Sequence, residues 1–131
     1  MPPKSHSAAS SHALVGGWSQ RKGCFIGLLL GVRQGRRRKL TYIGEVPTSG
    51  DNLLMRFLEQ RLREAEIETS PFLQEIPERA NTTHHWINPE LVAELVFEGW
   101  SKGQVRSPSL QSVSERSSFR RPNWIEMPAR A

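Results

Sequence analysis

The sequence predicts a mainly β domain with one helix, its strands curled into a five-stranded barrel. Three observations predict it. Two short apolar runs flank a glycine-containing basic segment in GLLLGVRQGRRRKLTYIGEV, residues 27–46. A single stretch, residues 52–68, carries a helical apolar stripe. Beyond it, LVAELVFEGW at residues 91–100 returns to the two-residue period of a strand.

The elements follow in chain order. Residues 1–13, MPPKSHSAASSHA, are small, polar and aperiodic, and read as a disordered tail. With no apolar h-region they are not a secretory signal. CFIGLLLGV, Cys24 to Val32, is short, apolar and bounded by glycine, as a buried strand is. LTYIGEV, Leu40 to Val46, carries Thr, Tyr, Ile and Val, which fit a pleated half-buried surface. RQGRRRK between them contains Gly35, so the pair reads as a hairpin with a short basic loop.

The helix follows PTSGD. Leu54, Leu58, Leu62 and Ala65 recur at helical spacing with Phe57 beside them, Asp51 is placed as N-cap, and Pro71 stops the pattern. Residues 72–83 read as loop. HHWI is strand-like, and in the next run Leu91, Ala93, Leu95 and Phe97 form a wholly apolar row against a mixed row of Val92, Glu94, Val96 and Glu98. Gly103 turns the chain and QVRSPSL forms a last short strand. From about Ser112 the pattern fades. A hairpin, a helix and two or three further strands suit a barrel plugged by one helix, which is the OB-fold plan. The domain is set at residues 14–113, with a flexible tail at 114–131.

Composition narrows the function classes. Eighteen Lys and Arg face 13 Asp and Glu, for a net charge of +5 and a sequence pI near 10.1. That balance favours polyanionic partners, nucleic acid first. It is uneven: residues 14–50 carry seven basic side chains and one acid, whereas residues 72–100 carry one Arg and five Glu. Cys24 is the one cysteine, so there is no internal disulfide, and it reads as an inert buried residue in a reducing compartment. No apolar run approaches the roughly 18 residues of a membrane span.

Candidate chemistry is sparse. His84 and His85 adjoin, and adjacent strand residues point to opposite faces, which is poor geometry for a shared metal. GLLLG lacks the Gly-Lys-Ser/Thr of a phosphate loop. Trp18, Trp86, Trp100 and Trp124 are candidate stacking platforms, with core packing the plainer reading for Trp86 and Trp100. Arg21, Lys22, Arg36, Arg37, Arg38, Lys39, Lys102 and Arg106 are the candidate phosphate contacts. A solvated hairpin loop that keeps an edge soluble is the alternative for the Arg36–Lys39 cluster.

Five segments in order then carry a resemblance. They are VGGW (Val15 to Trp18), KGCFIGLLLGV (Lys22 to Val32) with LTYIGEV (Leu40 to Val46), SPF (Ser70 to Phe72), HWINPELVAELVFEGWS (His85 to Ser101) and GQVRSPSL (Gly103 to Leu110). The chain resembles, over about residues 15–113, the C-terminal OB-fold domain of ATP-dependent DNA ligases, most closely the bacterial DNA ligase D type. The resemblance implies binding of nicked or double-stranded DNA in repair, recombination or end joining, in a bacterial cytoplasm. It implies no cofactor held by this chain alone, with ATP and Mg2+ belonging to a complete ligase. The sequence has no KxDG-type nucleophilic lysine, so it is expected to be catalytically incompetent by itself. Two departures matter. Where the family carries Arg-x-Asp-Lys, which orients the triphosphate leaving group, QSVSERS places Ser114, Arg116 and Ser117. Where the family usually has Lys, this chain has Glu45. Two other readings stay open: the closing half of a split ligase that works with a separate adenylation domain, and a decayed fragment or interaction module without DNA binding.

Overall fold

A computed structural model describes residues 10–36, 38–48, 53–118 and 122–126. Its strands are β1 (Ser11–Arg21), β2 (Cys24–Val32) and β3 (Thr41–Pro47), followed by helix α1 (Leu53–Glu64). Then come β4 (Glu66–Ile67), β5 (Thr82–Val96), β6 (Gly99–Ser101), β7 (Gln104–Arg106) and β8 (Ser109–Glu115). The main sheet runs β3-β2-β1-β5, all antiparallel, and β4 and β8 share the far edge of β5. Among the described residues no ladder joins β3 to β8, so the barrel is left open there. The β6–β7 hairpin sits against β3 instead, with a Val105 methyl 3.3 Å from where Gly44 would carry a Cβ.

The fold is the mainly β, one-helix OB plan, and it differs in detail for physical reasons. β1 gave no strand signal: its register slips at Gly16 and again between Ser19 and Gln20, which breaks the two-residue period. It starts at Ser11, inside the stretch read as a tail. HHWI and LVAELV are one 15-residue strand, β5. Pro89 interrupts the pattern without ending the strand, because residues 88–90 have no ladder partner in β1, β4 or β8. α1 ends at Glu64, earlier than its composition suggests, because Glu66 and Ile67 pair with Ile87 and Trp86. β8 extends to Glu115, past the point where the pattern fades. The Asp51 N-cap and the Leu54 side chain lie outside what is described.

Two apolar clusters hold the sheet. The interior is built on Trp18, Leu28, Leu30, Ile43, Val46, Ile87, Leu91, Ala93 and Leu95, which α1 covers with Leu58 and Leu62, joined by Ala65 just past its end. Phe57, expected beside that stripe, is 70% exposed. The outer face carries a second cluster of Leu14, Leu29, Leu40, Phe72 and Val92, flanked by Tyr42, Trp86 and Trp124. A strap at residues 70–79 covers it. Ser70 Oγ accepts the Phe72 N–H at 3.1 Å, and Leu40 exchanges backbone hydrogen bonds of 2.8 Å with Pro71 and Leu73.

The last described segment, residues 122–126, packs as well. Ile125 is buried, and its N–H bonds the His12 carbonyl at 2.9 Å, while the His12 N–H bonds the Asn123 carbonyl at 2.7 Å. Asn123 Nδ2 donates to the Ser10 carbonyl at 2.9 Å.

Arg61 ties α1 to the sheet. Arg61 donates Nε and Nη2 to the two Glu115 oxygens at 2.7 and 2.8 Å, and Nη2 also reaches Glu90 at 3.1 Å. The hydrogen bond from Arg61 holds the Glu115 carboxyl below its ordinary value of 4.5. Hydrogen bonds from Ser10 and then Ser112 do the same for Glu94. A carboxylate with a depressed folded pKa stabilises above the unfolded value and loses that contribution as pH falls through the folded one. Thermal midpoints measured from about pH 6 down to about pH 3 should therefore fall on acidification. Arg61→Gln should flatten the part of that fall due to Glu115 and leave the part due to Glu94. An unchanged acid profile in Arg61→Gln would show that the pair contributes nothing.

Candidate nucleic-acid interface

Two hairpins carry lysine at their tips by the same turn chemistry. Lys22–Gly23 joins β1 to β2 with φ of 52° and 79°, and Lys102–Gly103 joins β6 to β7 with 54° and 79°. Both positions of such a tight turn are left-handed, so glycine suits the second, and the first pushes its side chain off the ladder into solvent. Lys22 and Lys102 are exposed, as are Arg21 and Arg106 at the flanking strand ends. Arg21 and Gln104 line one open cleft of about 650 Å³, which places the β1–β2 end of the sheet beside the β6–β7 hairpin.

Arg36, Arg38 and Lys39 are exposed in the loop between β2 and β3, and Arg37 lies outside the described residues. This loop is at the other end of β2. Eight steps of roughly 3.4 Å separate the strand ends by about 27 Å. The sequence-nominated cations therefore form two groups, not one patch. None of Arg21, Lys22, Arg36, Arg38, Lys39, Lys102 and Arg106 forms an ion pair with a described residue, whereas Arg61, Arg63 and Arg79 do.

The cleft holds residues that sequence reasoning passed over. Arg79 of the strap donates Nη2 to Glu45 of β3 at 3.2 Å. Burial, and then the nearby Glu45 charge, push the Tyr42 hydroxyl up to about 12. Burial holds the His84 imidazole below its ordinary value of 6.5, and the Glu78 carboxylate accepts the His84 backbone N–H at 3.0 Å. In the sequence Arg79 is a lone cation in an acidic stretch, and only the path of the strap brings it to Glu45.

The aromatic and histidine candidates are packed. His85 stacks on Trp18 with centroids 4.7 Å apart, while His84 meets Trp86 edge-on at 5.7 Å, so the two histidines do face opposite ways. Trp100 packs on Phe97, and Trp124 lies under Arg116 at 5.3 Å. Cys24, read as buried, is exposed at the first position of β2, where the strand emerges from the tight turn.

The sequence matches the model of the family described as ATP dependent DNA ligase C terminal region, over residues 21–127. The chain belongs to that family. Comparison with curated proteins finds no match. Among solved structures, this ligase C-terminal region is similar to a mycobacterial DNA ligase D complexed with ATP and MES. The TM-score is 0.70 and the identity 25%, covering 83% of this chain and 35% of that one. It also shares its fold with the ligase domain from M. tuberculosis LigD, at TM-score 0.70 and 24% identity, covering 86% and 38%. The region thus spans little more than a third of the ligases it matches.

The family match passes the point near residue 113 where the resemblance read from the sequence stops, and it takes in the packed Trp124 and Ile125. In QSVSERS, where the resemblance implies Arg-x-Asp-Lys, Glu115 is engaged by Arg61 and Arg116 by Trp124. Those side chains fasten the helix and the far end of the chain to the sheet. Among the described residues no helix is long and apolar enough to cross a membrane.

Proposed function

We propose that this ligase C-terminal region binds duplex DNA, nicked or intact, by its phosphate backbone through two separated groups of cations. One group is Arg21, Lys22, Lys102 and Arg106; the other is Arg36, Arg37, Arg38 and Lys39. The observation that carries the reading is that no described member has an ion-pair partner among the described residues. Free cations on a tethered scaffold are what counterion release rewards. A spacing of about 27 Å is the length of roughly eight base pairs, so one duplex laid along β2 reaches both groups. The strap and Trp124 cover part of the outer face of the sheet, which leaves hairpin tips and loops as the contacting elements. A separate ligase adenylation domain is the second partner in this reading, since the matched structures are ligases of much greater length. DNA repair, recombination or end joining in a bacterial cytoplasm is the setting it fits.

Fluorescence anisotropy with labelled nicked and intact duplexes at several salt concentrations tests the proposal. Low-micromolar binding that weakens with salt is the expected result. Arg36→Ala/Arg38→Ala/Lys39→Ala and Arg21→Ala/Lys22→Ala/Lys102→Ala should each reduce the log–log salt slope by up to about 2.7, or 0.9 per lost contact. Absence of salt-sensitive binding by the unmodified chain would overturn it.

A further inference from the structure

The cleft at the Lys22 end contains an ion pair with the composition of a ligand contact. Glu45 holds Arg79 at 3.2 Å, with side-chain exposures of 19% and 59%. Arg21 lines the same cleft and has no ion-pair partner among the described residues. The Glu45 carboxylate is there because Gly27 has no side chain: a Cβ on Gly27 would stand 2.2 Å from Glu45 Oε2. Glu78, the other nearby carboxylate, is turned to the His84 backbone. Two guanidiniums and one carboxylate line the cleft, which leaves a single uncompensated positive charge. Among side chains, a carboxylate comes nearest to a phosphodiester in charge and in its pair of acceptor oxygens.

We infer that this cleft is a site for one backbone phosphate of duplex DNA, in which Glu45 holds Arg79 in the phosphate's place. Loading the site exchanges the partner of Arg79 from Glu45 to the phosphate, with Arg21 as the second contact. The inference rests on the duplex-DNA reading and adds a built-in competitor to it. An ion pair with one arm this exposed is weak, so the exchange is accessible. Glu45 then sets the affinity: the resident carboxylate cancels the charge of Arg79 and repels the incoming phosphate.

The test uses the full chain, a labelled nicked duplex and four variants. Glu45→Gln keeps the shape of the side chain and removes its charge. It should tighten binding by several-fold to about tenfold at low salt and steepen the log–log salt slope by about 0.9, one further phosphate. Arg79→Gln alone should leave affinity within about twofold of the unmodified chain, because Arg79 is already neutralised. The two changes together should cancel the gain. Glu64→Gln, an exposed helix position, measures the effect of a unit of net charge alone and should shift affinity by less than about twofold.

A Glu45→Gln effect no larger than that of Glu64→Gln overturns the inference. So does an Arg79→Gln loss well beyond twofold in the unmodified chain. Salt-sensitive binding by the unmodified chain alongside either result leaves the DNA reading standing. No binding by any variant overturns both. Arg79 is exposed, so its arm reads out even if Glu45→Gln impairs folding.

Discussion

Gly17→Ala is expected to cost about 3 kcal/mol or more and to lower the thermal midpoint by about 10 °C or more. Gly17 lies in the middle of β1, in register with Leu29 on one side and Trp86 on the other. A Cβ there would stand 2.3 Å from the backbone oxygen of His85 and 3.2 Å from the Trp86 ring. A side chain can turn away from such a contact, but a carbonyl in the adjoining strand moves only if the strands part. β1 and β5 are the central pair of the sheet, so their separation reaches both apolar clusters. Gly23→Ala is the control: its Cβ meets nothing within 4 Å, and it costs only the left-handed backbone, about 1 kcal/mol. Thermal or urea unfolding of both variants decides the matter. Equal losses would mean that the close strand approach at Gly17 is not a constraint.

Phe72→Ala is expected to cost about 3–5 kcal/mol, the usual range for deleting a buried phenyl ring. The ring is 2% exposed and meets Tyr42 and Trp86 edge-on at centroid distances of 5.5 and 6.0 Å. Its seat is made of absences: a Cβ on Gly16 would stand 2.5 Å from the ring, and one on Gly31 2.8 Å. Because the ring pins the strap, the loss should also be local. The Leu40 and Leu73 amides, which bond to Pro71 and Leu40 across the strap, should lose hydrogen-exchange protection ahead of the β1–β5 amides. A cost below about 1 kcal/mol, with Leu40 and Leu73 still protected, would show that the outer cluster is not what holds the strap.

The parts of the fold that were legible from sequence are those in which one local rule acts alone. CFIGLLLGV and LTYIGEV announce strands by composition, and Leu58, Leu62 and Ala65 announce a helix by period. The alternation of Leu91, Ala93 and Leu95 with Glu94 and Val96 gives the orientation of β5 correctly. β1 was illegible because its two register slips erase the period, although it is the strand on which the sheet is centred. The run past Ser112 looked like a fading tail because its residues are Ser, Glu and Arg, and their work is done by contacts about 20 to more than 50 residues away. Glu94 with Ser10 and Ser112 is one case and Arg61 with Glu115 another. The site divides in the same way. Cations in turns could be nominated from composition, whereas the meeting of Arg79 with Glu45 needs the strap to run on from Leu40 and Tyr42 to Glu45.

The clasp between Ser10, His12, Asn123 and Ile125 has a mechanical meaning. It makes the chain enter and leave the described fold at neighbouring points, at the end of β1 that is remote from Lys22. Any longer polypeptide attached through those points holds the fold by one corner. Nine steps along β1 set a lever of about 30 Å between that corner and the Lys22 tip. A rotation of roughly 20° about the corner, ordinary for hinge closure between domains, carries the tip through about 10 Å. Under such a swing the Lys22 end travels far while the Arg36–Lys39 loop, near the pivot, travels little, so the first group would act as a moving jaw and the second as a fixed one.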